Sequence, residues 1–227
     1  MRIDRRFRGP PDSGNGGYFA GLLARELGGS NVIVTLKRPA PVDVDLEVEQ
    51  AGDEWALTNG GEQLAVATAG PVAIDVPEPP SLDAARTAEA RFSGLQHHIY
   101  PGCFVCGPER EPGDGWRIFP GAIGQGQVAA AWTANPEFAA ADGTLKPEFV
   151  WAALDCPGYF AVEGAAGLAL LGRMAVVIHR PVPTGQPLIV QAWAQGSDGR
   201  KHHAGTALHA ADGTLLAAAT QTWVTLR

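Results

Sequence analysis

Two blocks of this chain repeat each other. Residues 32–48 read VIVTLKRPAPVDVDLEV, and residues 174–190 read MAVVIHRPVPTGQPLIV. Arg38-Pro39 falls on Arg180-Pro181, and Leu46 falls on Leu188 at the same spacing. A second pair follows in the same order, GEQLAVAT (61–68) and GTLLAAAT (213–220). The second pair is spaced further apart than the first, so the second copy should carry a longer hairpin. AQGSDGRKHHAG (194–205), with its Asp-Gly turn signal, would hold it. Two matched blocks in one order point to a duplicated unit.

The stretch VDVDLEVE (42–49) alternates apolar and acidic residues with period two, as a half-buried antiparallel strand does. Similar strands are expected at 31–37, 53–58, 62–69, 127–133, 174–180, 187–195, 204–210 and 214–226. One helix precedes the matched strands of each half. In the first half it is GGYFAGLLAREL (16–27), with Ser13 and Asn15 as capping candidates and Gly28-Gly29 as the stop. In the second half it is KPEFVWAALDCPGYFAV (146–162). Pro147 suits a first helical turn, and Glu148 suits the dipole there. This helix is apolar on nearly every side, so other structure must wrap it. Pro157 should kink or end it. Between the halves, DVPEPPSLDAARTAEARFSGLQ (75–96) reads as a linker with one exposed helical turn. The expected organisation is a first repeat over 1–74, a linker over 75–96 and a second repeat over 97–227.

Bulk properties exclude several functions. With 227 residues, 45% of them hydrophobic, the chain can bury a proper core. No apolar run approaches the roughly 18 residues of a membrane span. The start, MRIDRRFRGPP, has no apolar segment of the kind that directs secretion. A net charge of −7 with scattered basic residues argues against nucleic acid as a partner. Three cysteines, an odd number, fit reduced thiols in a cytoplasmic protein.

One helix followed by a meander of long antiparallel strands, given twice, is the α+β layout of a double hotdog. It is two tandem copies of a central helix wrapped by an antiparallel sheet. The segment CFVCGPEREPGDGWRIF (103–119) resembles the opening of many small hotdog thioesterases. Their helix then reads His-Gly-Gly and a short apolar run ending in Asp. Here KPEFVWAALD (146–155) stands in that place, with the AALD ending kept and Lys146-Pro147-Glu148 where His-Gly-Gly would be. HRP (179–181) and AAATQTWV (217–224) resemble the acyl-CoA thioesterase II type of double hotdog. That resemblance implies that Asp155 works with Gln221, and it places Leu171 where the family has a hydroxyl residue. It implies an acyl thioesterase acting on an acyl-CoA or acyl-carrier thioester, with no cofactor, in a protein that pairs as a homodimer. The alternative is a non-catalytic acyl-CoA-binding hotdog. A hydratase on this fold would want a pocket His paired with an acid near the helix, and neither helix contains a His.

Asp155 sits within the apolar stretch EFVWAALDCPGYF, and a buried carboxylate is costly unless paired or used. It has two readings. In one, backbone groups or an Arg satisfy it. In the other, it faces a pocket between the halves and attacks a thioester carbonyl, or activates a water that does. The oxyanion would need donors, and the helix start in SGNGGYF (13–19) offers unpaired backbone N–H groups at Gly16 and Gly17. Aligning the two helices pairs Gly16 with Pro147 and Ala24 with Asp155. Each half lacks what the other keeps, so one composite site is expected. Asn15, Tyr18, Arg38, Trp151 and Arg180 are the candidate substrate contacts, the arginines for coenzyme A phosphates. Cys103 and Cys106 form a Cys-x-x-Cys, but zinc typically takes two such pairs and Cys156 is far away in sequence. The expectation is a tight turn with two small buried thiols and no metal.

Overall fold

The computed structural model describes residues 1–226. Helix α1 (Gly16–Ala24) opens the first half, followed by β1 (Val32–Leu36), β2 (Glu47–Ala51), β3 (Glu54–Asn59) and β4 (Glu62–Ala69). A short α2 (Leu82–Ala88) lies between the halves. The second half contains β5 (Gly121–Gly124), β6 (Gln127–Thr133) and the long α3 (Pro147–Ala166). Strands β7 (Ala169–Ile178), β8 (Pro187–Asp198), β9 (Lys201–Ala210) and β10 (Leu215–Thr225) complete it. The ten strands make one sheet, in the order β2-β3-β4-β1-β7-β10-β9-β8-β6-β5. The halves join where β1 pairs antiparallel with β7, Val32 opposite Val176 and Thr35 opposite Arg173.

Local chemistry sets the helix ends. Asn15 caps α1 by accepting from the Tyr18 N–H at 2.9 Å, and Gly28 ends that segment at φ 85°. Pro147 starts α3, where its missing N–H costs nothing. The expected break at Pro157 does not occur, and α3 runs on to Ala166. A proline inside a helix removes one hydrogen bond and crowds the turn before it. The acceptor that loses its partner is Ala153 O, and Gln221 Nε2 from the sheet reaches the next two carbonyls of the helix, Leu154 O at 2.5 Å and Asp155 O at 3.0 Å.

The two helices cross closely. A Cβ on Gly17 would lie 2.6 Å from Asp155 Cβ, and one on Gly21 would lie 2.7 Å from Trp151 Cβ and Glu148 Cα. As α1 advances from Gly17 to Gly21 its neighbour runs back from Asp155 to Glu148, so the helices are antiparallel. Only glycine permits this approach.

The longer second hairpin is present. Strands β8 and β9 have 12 and 10 residues and turn through Gly199-Arg200, against 5 and 6 residues for β2 and β3. Two expectations need correction. Residues 42–46 precede β2 instead of joining it, because the N-terminal residues bind them: Asp43 donates to Ile3 O and Leu46 to Met1 O. The segment 75–96 is not an exposed tether. Ala85 and Ala88 of α2 are buried, and Ile74 and Val76 pack on Trp193, Ala207 and Ala218. This segment therefore covers the outer face of the second half's sheet, while α3 fills the inner face. No described helix is long and apolar enough to cross a membrane.

Candidate functional site

Asp155 lies on α3 where the start of α1 crosses it. Its side chain is 2% exposed. Oδ2 accepts from the Gly17 N–H at 2.8 Å, while Oδ1 is buried with no partner among the described residues. Burial raises the carboxyl to about 7, the bond from Gly17 opposes this, the neighbouring Cys103 sulfur adds to the rise, and the Asn15 side chain lowers it again. Backbone satisfies half of this carboxylate, and the other half is left for something else.

Asp155 borders a cavity of about 900 Å³ between the two halves of the chain. Residues 13–16 and the Leu36–Pro39 turn wall it from the first half. Asp155, Tyr159 and Phe160 of α3, Leu170 and Leu171 of β7, and Trp223 of β10 wall it from the second. The loop 97–106 closes one side. The lining is mainly apolar, with the basic pair Lys37 and Arg38 on it. Arg38 is held by Glu62 at 3.0 Å, and Lys37 by Gln63.

The expected site residues divide. Gly16, Asn15, Arg38 and Asp155 all line the cavity. As the first residue of α1, Gly16 has an N–H that no earlier turn can bind, and a Cβ there would lie 3.5 Å from Asp155 Oδ2. Gly17 is adjacent, but its N–H is already committed to Asp155. Tyr18 is not on the cavity wall. Its ring packs against Phe7 at 4.4 Å and Phe149 at 5.3 Å. Trp151 is fully buried between the helices, its indole N–H on Gly29 O at 2.8 Å. Arg180 is exposed and lies off the cavity lining. Gln221 does not meet the Asp155 carboxylate. Its amide nitrogen is bound to two carbonyls of α3, and its oxygen accepts from the Trp223 indole N–H at 2.8 Å. Leu171 does stand at the site, with Cδ2 3.2 Å from where a Cβ on Gly16 would be.

Sequence reasoning missed the third sulfur. Cys103, Cys106 and Cys156 are all buried, with their sulfurs within 4.8 Å of one another. The only signal was that Cys156 follows Asp155 on the same helix. The Cys103 thiol is held well below its usual range, first by Cys106, then by Cys156, and by the backbone N–H groups of Cys106 and Val105. His98 was also unassigned. It lines the cavity with Nε2 buried and unpartnered, and burial lowers its pKa.

No protein-family model matches the chain, and no curated protein sequence matches it. Solved structures do match. A candidate thioesterase of Novosphingobium aromaticivorans superposes with TM-score 0.64 at 15% identity, over 100% of this chain and 94% of that one. The tesB protein of Mycobacterium avium subsp. paratuberculosis gives 0.62 at 16% identity, over 96% and 89%. A candidate thioesterase II of Thermobifida fusca gives 0.62 at 16% identity, over 100% and 91%. The chain is a double hotdog. At these identities the likeness is one of fold. Within this double hotdog the two crossings of helix start and helix body are unequal. One brings Gly16 and Asp155 together on the cavity. The other falls to Pro147 and Ala24, and neither lines the cavity.

Proposed function

We propose that this double hotdog is an acyl thioesterase, hydrolysing an acyl-CoA or acyl-carrier thioester at one composite site. The observation that carries this reading is the meeting of Gly16, from one half, with Asp155, from the other, on a large apolar cavity. The acyl chain occupies the apolar wall. The thioester carbonyl oxygen takes the free N–H of Gly16 at the positive end of α1. Asp155 Oδ1, which has no partner among the described residues, accepts a proton from a water that adds to the carbonyl carbon. Collapse of the tetrahedral intermediate expels the thiolate, and Asp155 returns the proton to it. Lys37 and Arg38 offer positive charge for phosphates of the carrier.

Specific observations favour the second reading, an acyl-CoA-binding protein without turnover. The Gly17 N–H is occupied, Leu171 stands where the resemblance places a hydroxyl, and Gln221 is turned to the backbone. A panel of acyl-CoA thioesters of rising chain length separates the two. Thiol release that Asp155→Asn abolishes, with its melting curve intact, supports hydrolysis. Thermal stabilisation by the panel without thiol release supports binding alone. Full activity in Asp155→Asn would sink the catalytic reading.

A further inference from the structure

Three free thiols converge beside the cavity, and the proposed hydrolysis uses none of them. Cys103 and Cys106 lie on the loop before β5, and Cys156 lies on α3 53 residues beyond Cys103. Packing alone treats a free cysteine as a small hydrophobe and gives no reason to gather three sulfurs around one point. The Cys103 and Cys156 sulfurs are 3.7 Å apart, and all three sulfurs lie within 4.8 Å of one another. Zinc bonded tetrahedrally to thiolates at about 2.3 Å sets its sulfurs about 3.8 Å apart. The Cys103–Cys156 pair is at that spacing, and the third sulfur lies within 4.8 Å of both.

The surroundings fit a ligand shell as well. The Gly107 N–H donates to Cys103 O at 2.9 Å and closes a tight turn around the Cys-x-x-Cys. A Cβ on Gly107 would overlap that carbonyl. Asn15 Nδ2 lies 3.6 Å from the Cys156 sulfur and 3.9 Å from that of Cys103, and so donates toward both. Such donors orient thiolate ligands from outside the metal shell. Each cysteine also lines the cavity, as does Asp155 with its unpartnered Oδ1. His98 is a poor fourth ligand. Its Nδ1 accepts from the Tyr100 N–H, so the neutral ring carries its proton on Nε2.

We propose that Cys103, Cys106 and Cys156 form a three-thiolate site for zinc(II), whose fourth position opens into the cavity beside Asp155. Each cysteine binds as its thiolate, any remaining thiol proton leaving on binding, and the three thiolates with zinc carry one net negative charge. The ion clamps the 103–106 loop to α3. Its open position takes a water, which can donate to Asp155 Oδ1, or the sulfur of a cavity ligand.

The test is metal content and spectroscopy on the full chain, purified reduced and supplied with zinc. The expected result is about one zinc per chain that survives gel filtration. Replacement by cobalt(II) should give thiolate-to-metal charge-transfer absorption and the visible bands of a tetrahedral ion. Cys156→Ser should lose both the stoichiometry and the charge-transfer intensity. Should that variant not fold, the wild type decides. Stripping with a chelator should lower its melting temperature, and zinc should restore it. Wild-type protein that retains no zinc, cobalt absorption without a thiolate band, or a folded Cys156→Ser with full zinc content would each overturn the site.

Discussion

Gly17 gives its backbone N–H to Asp155 Oδ2 at 2.8 Å, across the boundary between the two halves of the chain. This bond fixes the carboxylate, whose second oxygen is buried without a partner among the described residues. It also requires the helices to touch, since Gly17 meets Asp155 and Trp151 at distances no other side chain allows.

Gly17→Ala should therefore cost more than Gly16→Ala. A Cβ at 17 would lie 2.6 Å from Asp155 Cβ and from Trp151 O, whereas one at 16 meets Leu171 side-chain atoms no closer than 3.2 Å. Overpacking of this kind costs about 1–3 kcal/mol. Urea unfolding of the two variants compares them directly. Equal midpoints would mean that the two helices do not touch at Gly17.

Gln221 should behave as a structural residue. Its amide satisfies the carbonyls of Leu154 and Asp155 beside Pro157, and Gly158 leaves it room. Gln221→Leu removes that donor inside the core. It also leaves the buried Trp223 indole N–H without its acceptor, and an orphaned buried polar group costs about 1–3 kcal/mol. The denaturant midpoint should fall at an unchanged slope, which would mark a loss of stability and not of compactness. A midpoint that stays in place while turnover falls would return Gln221 to a catalytic role.

These two predictions show what a linear sequence discloses. The Arg38-Pro39 and Arg180-Pro181 echo placed β1 and β7 in equivalent positions, and the structure pairs them. Asp155 stood out because an acid in an apolar helix must be explained. Backbone period and burial are local, so they can be read from a short window. The partners of Gln221, Trp151 and Cys156 are not local. Gln221 finds its carbonyls 66 and 67 residues away, and Trp151 finds Gly29 O 122 residues away. Rotamer and helix crossing decide such contacts, and sequence spacing carries neither. The Gly17-x-x-x-Gly21 spacing was the readable sign of the crossing, one turn apart on one helix face.

His209 sets a pH dependence of stability. It is 2% exposed on β9, between Ile189 and Leu215, with Nδ1 unpartnered. Burial lowers its pKa to about 4. The unfolded imidazole takes up its proton near pH 6.5. Above that value both states are neutral and His209 contributes no slope. As pH falls from about 6.5 to about 4, only the unfolded state gains the proton, so stability is lost across that window. His209→Leu should flatten the curve of unfolding midpoint against pH there, relative to wild type. Parallel curves for the two proteins would show that His209 is hydrated in the folded state.

Leu171 offers a gain-of-function test of the hydrolytic reading. It stands on β7 at the cavity wall, with Cδ2 3.2 Å from where a Cβ on Gly16 would be. Gly16 is itself the neighbour of Asp155 Oδ2. A hydroxyl there would reach the space in which a water and a thioester carbonyl must meet. Leu171→Thr gives up apolar burial, so the variant should be less stable by about 1–3 kcal/mol. The cavity is roomy enough for the threonine hydroxyl to find water or substrate as its partner. One hydrogen bond to a charged transition state is worth about 1.5–3 kcal/mol, or roughly ten- to hundredfold in rate. Thiol release from the preferred acyl-CoA should rise by at least about tenfold, with Asp155 still required. The double variant Leu171→Thr, Asp155→Asn should be inactive. A folded Leu171→Thr that releases thiol no faster would mean that a missing hydroxyl does not limit this site.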